Sequence, residues 1–397
     1  MFVKDQYHLS YCTNIHPGEN WEATFNSIKT YVPYIKNEVS PDRPFGIGLR
    51  LSNNASRELA SGANMEIFKS WLAEKDCYVF TMNGFPYGDF HGTVVKDKVH
   101  APDWTGRERV EYTIRLFQQL EAILAPGMDG GISTSPVSYR HWFATEQATD
   151  EALTIGARHL VEVAAFLHER EQASGSYMHL DMEPEPDGLL ENTKEFIDFF
   201  EDYVLPVGTA WLKENCQMET DLAVHVLKRH LTMCYDVCHF SLAYESPEQT
   251  FPALAEKGLL VGKVQISAAL KIIFEAGRED RIWESLQMFN EPTYLHQVTE
   301  KINGKVKVYN DLPVVLEGNR QHTELRAHFH VPIFLDRFND LYSTQEQILE
   351  TLAYLRNHPV STHLEVETYT WGVLPADLKM DLGKSIVREL NWVKDHL

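Results

Sequence analysis

Short apolar runs alternate with longer amphipathic stretches from one end of the chain to the other. The runs at 9–15, 45–51, 78–82, 131–135, 177–182, 233–236, 262–267 and 363–368 have the length and composition of buried strands. Between them lie stretches with apolar positions at three- and four-residue spacing, at 21–31, 56–74, 107–124, 150–171, onward to 215, from Ser246-Pro247, to 357, and at 377–395. These read as helices. Strand–helix alternation implies parallel strands buried under helices, an α/β fold. Eight such units close most economically into a (β/α)₈ TIM barrel, whose site lies at the carboxyl ends of the strands. A doubly wound open sheet is the alternative. Against it, no Gly-x-Gly-x-x-Gly follows any strand, and there is no Gly-x-x-x-x-Gly-Lys phosphate loop.

The regular pattern lapses between about 270 and 340, which is expected to be an irregular insertion between the seventh and eighth strands. Within it, 305–309 and 313–316 are expected to pair as a hairpin. Ser343-Thr344-Gln345-Glu346 fits a capping box for the helix that follows. No linker or low-complexity run divides the chain, so 1–397 is read as a single barrel domain.

Composition narrows the function classes. The chain has 397 residues, 44% of them hydrophobic, which is ample for a large core. No apolar stretch is long enough for a membrane span, so no direct membrane insertion is expected. The first residues lack the layout of a signal peptide. Five thinly spread cysteines do not suggest a disulfide framework, and the expected setting is cytoplasmic. A formal charge of −21 repels phosphate backbones, so no nucleic-acid partner is expected. Such a charge leaves room for a cation-bearing site and a small-molecule substrate.

The strand ends carry the candidate chemistry. The carboxyl ends of the last four strands are Glu183, Asp236, Gln265 and Glu367, each an oxygen donor. In a closed barrel these chain-distant residues surround one mouth. Three carboxylates packed together raise one another's pKa, and a divalent metal (Zn, Mn or Mg) removes that penalty. One such acid alone is as well read as a helix cap or an ion-pair member. His239, His328 and His330 are nearby nitrogen donors for a second ion, although His328-x-His330 also fits the polar face of a loop strand. His16 is read as a turn residue, and Cys234 and Cys238 as buried structural thiols. Glu365 shares the parity of Glu367, one layer deeper, and is expected to pair with Arg50 or Lys263. Glu185, flanked by prolines, is a candidate substrate contact above Glu183. Asn83, Tyr87, His91 and Trp371 are further candidate substrate contacts on an aromatic rim.

Tyr235-Asp236-Val237-Cys238-His239 resembles the Asp-x-Cys-His element of the xylose-isomerase-like TIM barrels. That superfamily holds sugar isomerases and epimerases, inosose and dehydroshikimate dehydratases, and the endonuclease IV type of DNA-repair enzyme. The resemblance implies a metal held by Glu183, Asp236, Gln265 and Glu367, in that order along the strands. It also implies catalytic roles for Glu183 and Glu367, moving protons on opposite faces of the substrate. His239, Glu367-Thr368 and His328-x-His330 are similar to the nuclease branch. Gln265, His328, Asn83 and Ser135 depart from it, which argues against a trinuclear repair site. The segments 11–19, 83–88, 183–186 and 367–371 are similar to signature segments of the Ebo-cluster metabolite traffic family, EboE. That likeness implies a secondary-metabolite export or maturation pathway with membrane-associated partners. The expected function is therefore a metal-dependent isomerase, epimerase or dehydratase acting on a small hydroxylated or ring-bearing metabolite. A non-catalytic carrier on the same barrel and a metal-dependent phosphodiesterase are the alternatives.

Overall fold

Eight parallel strands make the central barrel: β1 (Tyr7–Tyr11), β2 (Phe45–Arg50), β3 (Cys77–Asn83), β4 (Gly130–Thr134), β5 (Met178–Met182), β6 (Leu231–Asp236), β7 (Val261–Ile266) and β8 (His363–Val366). The computed structural model describes residues 1–91, 94–375 and 381–397. Each strand from β2 to β8 pairs with the next, and β8 pairs with β1. β1 and β2 close the ring through a parallel bridge between Cys12 and Gly48. The Arg50 N–H, donated to Thr13 Oγ1 at 2.8 Å, reinforces that seam. This is a (β/α)₈ TIM barrel. A short strand, Phe2–Val3, lies antiparallel along β1.

The helices bury apolar stripes against the barrel. In Trp21–Val39 the stripe is Trp21, Phe25, Ile28, Val32, Ile35 and Val39, at helical spacing. Asn20 caps this helix by accepting the Ala23 N–H at 2.8 Å. The barrel lumen, by contrast, is partly ionic. Lys263 of β7 donates to Glu365 of β8 at 2.5 Å and to Ser133 of β4 at 3.2 Å, and Lys263 and Glu365 are fully buried. Arg50 pairs instead with Glu19 at 2.9 Å. Gly48 leaves room for the carboxylate, since a Cβ there would stand 1.8 Å from Glu365 Oε1.

Between β7 and β8 the chain builds a second sheet of six strands, all paired antiparallel, which the sequence pattern did not resolve. Its strand Lys305–Tyr309 pairs with Val298–Ile302, so the hairpin expected between 305–309 and 313–316 does not form. The latter segment is the short helix Leu312–Leu316, started by the Asp311 cap and Pro313. The capping box expected at 343–346 does not form. Ser343 is a strand residue, and the Thr344 hydroxyl accepts from the Ala269 N–H at 2.9 Å.

Other boundaries also differ. The first strand ends at Tyr11 and is followed by a 3₁₀ turn over Thr13–Ile15. The first helix runs through Pro33 to Val39, because its apolar stripe continues beyond the proline. The single helix expected over 56–74 is two, Asn53–Leu59 and Asn64–Glu74, separated at Gly62, whose φ is +58°. The last helix is Leu382–His396, capped by Asp381. Of the expected 377–395, positions 377–380 lie outside the described residues.

Candidate functional site

The carboxyl ends of β5 to β8 meet at the barrel mouth, as a closed ring requires. Glu183, Asp236, Gln265 and Glu367 are all buried there. Glu183 and Glu367 line a cavity of about 590 Å³, counting open solvent at its mouth. Asp236 and Gln265 are buried behind that lining, Gln265 hydrogen-bonded to Glu367. Burial and the facing carboxylates Glu367 and Asp236 hold Glu183 well above the usual carboxylate range. Burial and Asp236 do the same to Glu367. Burial also acts on Asp236, but His239, His330 and the Ser267 hydroxyl outweigh it and hold that carboxyl low.

The two glutamates differ in their partners. Glu367 Oε1 accepts from the side-chain amides of Asn14 at 2.7 Å and Asn83 at 2.9 Å, and its Oε2 accepts from Gln265. Gln265 thus turns its nitrogen toward the carboxylates, while its oxygen accepts from Cys234 Sγ at 2.6 Å. Glu183 Oε2 is buried and has no hydrogen-bond partner among the described residues. Glu183 is the freer carboxylate of the pair.

Three imidazoles converge on the same mouth with their tautomers set by neighbours. His239 Nδ1 faces the Pro184 carbonyl at 3.1 Å, and His330 Nδ1 faces the Glu367 carbonyl at 2.9 Å. His328 Nδ1 faces Gln297 Oε1 at 2.9 Å, and the Gln297 amide nitrogen is anchored to the Pro186 carbonyl at 2.9 Å. Each of these oxygens can only accept, so in the neutral ring Nδ1 carries the proton and Nε2 the lone pair. Burial, with the other imidazoles, pushes His328 and His330 below the ordinary histidine range and keeps them neutral. The Nε2 atoms of His239 and His328 are then two lone pairs 3.0 Å apart. His330 Nε2 is buried without a hydrogen-bond partner among the described residues. Lone pairs aimed at one point, each ring fixed from behind, are the arrangement of metal-ligating histidines. Ligand atoms of Asp236, His239 and His330 lie within 4.8 Å of one another, as do those of Glu185, His239 and His328. The residues therefore fit a divalent cation.

The cavity walls come from the loop after β3, through Phe85, Phe90, Val99 and His100, from the insertion, through Tyr294, and from the turn after β8, through Tyr369. His100 Nε2 lies 3.0 Å from Glu185 Oε1. Asn83 and Glu185 line this cavity, as expected of substrate contacts. Three other expected contacts sit elsewhere. Tyr87 packs on Tyr112 at 5.0 Å between ring centroids, away from the cavity. His91 and Trp371 line a separate outer cavity beside Tyr369. His16 is buried in its turn, with Nε2 at 2.9 Å from the Tyr11 hydroxyl. Cys234 and Cys238 are buried, and burial raises both thiols well above the usual range. His100, read from the sequence as a lid residue that contacts substrate or lies on the surface, lines the cavity, whereas Asn14 and Gln297 were not read as site residues. Asn14 lies in the segment 11–19 already singled out, and no local signal marks Gln297.

No protein-family model matches this chain, and no curated protein does. Solved structures match in fold. D-allulose 3-epimerase from Methylomonas sp., in complex with D-allulose, is 10% identical over 100% of this chain and 99% of that one, with a TM-score of 0.52. A xylose isomerase-like TIM barrel protein from Mycobacterium smegmatis, in complex with magnesium, is 10% identical over 100% and 98%, with a TM-score of 0.50. Among the described residues no helix is long and apolar enough to cross a membrane.

Proposed function

We propose that this chain is a divalent-metal-dependent enzyme of isomerase, epimerase or dehydratase type, acting on a small hydroxylated metabolite. The observation that carries the reading is the meeting of three buried carboxylates with three Nε2 lone pairs at one barrel mouth. His239, His328, His330 and Asp236 would hold the cation, with Glu183 and Glu367 beside it. A cation there supplies Lewis-acid polarisation of substrate oxygens. Glu183 lines the cavity and its Oε2 has no hydrogen-bond partner among the described residues, so with its charge offset by the cation it would take the proton from a carbon next to a carbonyl, and Glu367 would deliver one on the opposite face. Glu367, held on both oxygens by Asn14, Asn83 and Gln265, stays fixed and is the second proton carrier. The aromatic walls exclude water, and His100 with Glu185 orients substrate hydroxyls. A cytoplasmic setting and a place in a secondary-metabolite pathway with membrane-associated partners belong to the same proposal. They are supported by the unpaired cysteines and by the likeness of segments 11–19 and 183–186 to the Ebo-cluster family. The nitrogen-rich ligand set also favours a second reading, a metal-dependent phosphoester hydrolase.

Metal content of the purified protein, followed by NMR of polyhydroxy ketones in D₂O, tests the proposal. A metal-dependent exchange of one carbon-bound hydrogen is expected, and Glu183→Gln should slow it by roughly 10²–10⁴-fold. Absence of exchange across the panel in metal-loaded protein, with cleavage of bis(p-nitrophenyl) phosphate instead, would put the hydrolase reading first.

A further inference from the structure

We propose a second divalent-cation site at the opposite, amino-terminal end of the barrel, with Asp129, His179 and His363 as ligands for a zinc-class ion. Asp129 immediately precedes β4, His179 lies on β5, and His363 opens β8. The mouth ligands follow the other ends of the strands, so the two sets share no residue. One ligand atom from each of the three lies within 4.8 Å of the others.

The surroundings are those of a built site. His179 Nδ1 is 2.5 Å from Asp181 Oδ1, and that oxygen also accepts from the Thr232 hydroxyl at 2.5 Å. A carboxylate behind a histidine fixes the ring and leaves Nε2 for a ligand. Two strands surrender side chains to make room for this pair. A Cβ on Gly131 would stand 2.5 Å from His179 Cε1, and one on Gly262 would stand 2.0 Å from Asp181 Oδ1. His363 is fully buried, and neither of its ring nitrogens has a hydrogen-bond partner among the described residues. Its Nε2 lies 3.5 Å from Asp129 Oδ1, and its ring centroid lies 5.2 Å from that of His179. A buried imidazole with both nitrogens unsatisfied is costly, and a cation on one nitrogen removes part of that cost. The Thr362 hydroxyl donates to Asp129 Oδ2 at 3.2 Å, which orients the carboxylate. Asp129, His179, Thr232 and Gly262 line a cavity open to solvent, so an ion has a route in. Two imidazoles and one carboxylate suit zinc with an open coordination position. The neighbouring His8 is engaged elsewhere, with Nδ1 at 2.9 Å from the Tyr78 hydroxyl.

The test is calorimetric titration of metal-stripped full-length protein with Zn²⁺, with Co²⁺ visible absorption as a second readout. In a His239→Ala/His328→Ala/His330→Ala background, which lacks all three mouth imidazoles, one equivalent of Zn²⁺ should still bind. Adding Asp129→Asn, a change at a partly exposed side chain, should weaken that binding by at least about tenfold and remove the Co²⁺ bands. His363→Gln should do the same. No Zn²⁺ binding in the folded mouth-deleted protein overturns the proposal. So does undiminished binding in both additional variants. Should that background fail to fold, the comparison is made on the wild type. Asp129→Asn should then lose one equivalent while the mouth metal stays, and an unchanged stoichiometry overturns the proposal.

Discussion

Glu389 is a buried carboxyl on the last helix, accepting from the Thr368 hydroxyl at 2.8 Å and the Ile333 N–H at 3.3 Å. Burial pushes it up to about 8, against those two bonds, which pull it down. The unfolded chain releases this proton near pH ~4.3. Between there and pH 8 the folded state binds one proton more than the unfolded state, so stability falls as pH rises through that window. Glu389→Gln keeps an oxygen for both donors and carries no charge. It should match the wild type near pH 4 and gain up to about 1.4 kcal/mol per pH unit above that, levelling off beyond pH 8, by urea unfolding. At this scale the candidate site was legible wherever a residue ends a strand. Glu183, Asp236 and Glu367 could be placed because the sheet period fixes which side chain faces the mouth. The histidines were legible as nitrogen donors, but the ring orientations were not. Those depend on the Pro184 carbonyl, the Glu367 carbonyl and Gln297, which no local pattern links to them. Asn14 reaches Glu367 across 353 positions of sequence. Tyr87 and Trp371 were read as rim aromatics, yet a loop residue's direction is set by tertiary packing, here against Tyr112 and beside Tyr369.

Among elements, the eight barrel strands were legible because burial on both faces leaves continuous apolar runs, and because strand and helix periods alternate without interruption. The insertion was not, since its strands are short and its outer faces polar. Lys305–Tyr309 reads as well against 313–316 as against its true partner. The helix Leu312–Leu316 is decided by Asp311 and Pro313, a start signal overlooked within an apolar run. This insertion supplies Gln297, His328 and His330, so the least legible element brings two of the three mouth imidazoles. The glycines of the barrel strands show the opposite case, in which an unfavourable strand residue marks a close approach. Gly48 on β2 faces Glu365, and an added Cβ at 1.8 Å from a carboxylate oxygen cannot be absorbed without moving the Lys263–Glu365 pair. Gly48→Ala should therefore destabilise the protein by about 1–3 kcal/mol or more, as overpacking does. Combining it with Glu365→Ala removes the shorter contact and leaves the Tyr11 carbonyl at 2.8 Å, so the pair should cost less than the sum of the two single changes without reaching the cost of Glu365→Ala alone. A double-mutant cycle by urea unfolding measures the coupling, and strict additivity would show that the glycine is not there for the carboxylate.

The whole molecule carries 57 acidic against 36 basic residues, a formal charge of −21. Much of its positive charge is already committed within the fold. Lys263 is buried on Glu365 and Arg50 on Glu19, and the half-exposed Arg229 and Arg170 pair with Glu171 and Glu121. Affinity for a nucleic-acid backbone comes chiefly from cations that displace condensed counterions, and it needs several of them on one face. The hydrolase reading has a nucleic-acid version, since nitrogen-rich metal clusters at a barrel mouth suit phosphodiester cleavage. The walls of this mouth favour a different substrate. They are Phe85, Phe90, Val99 and Tyr294, and the one lysine on them, Lys96, is held by Asp311 at 2.7 Å. A duplex would meet a net repulsive surface and a largely apolar collar. Metal-loaded protein should therefore show no change in the fluorescence anisotropy of a labelled duplex at physiological salt, with or without an abasic site, and should leave the strand uncut. Lowering the salt should not rescue binding, because the long-range term is repulsive and strengthens as screening falls. Submicromolar binding that weakens with added salt, with cleavage at the abasic position, would reverse this ranking and assign the mouth to DNA.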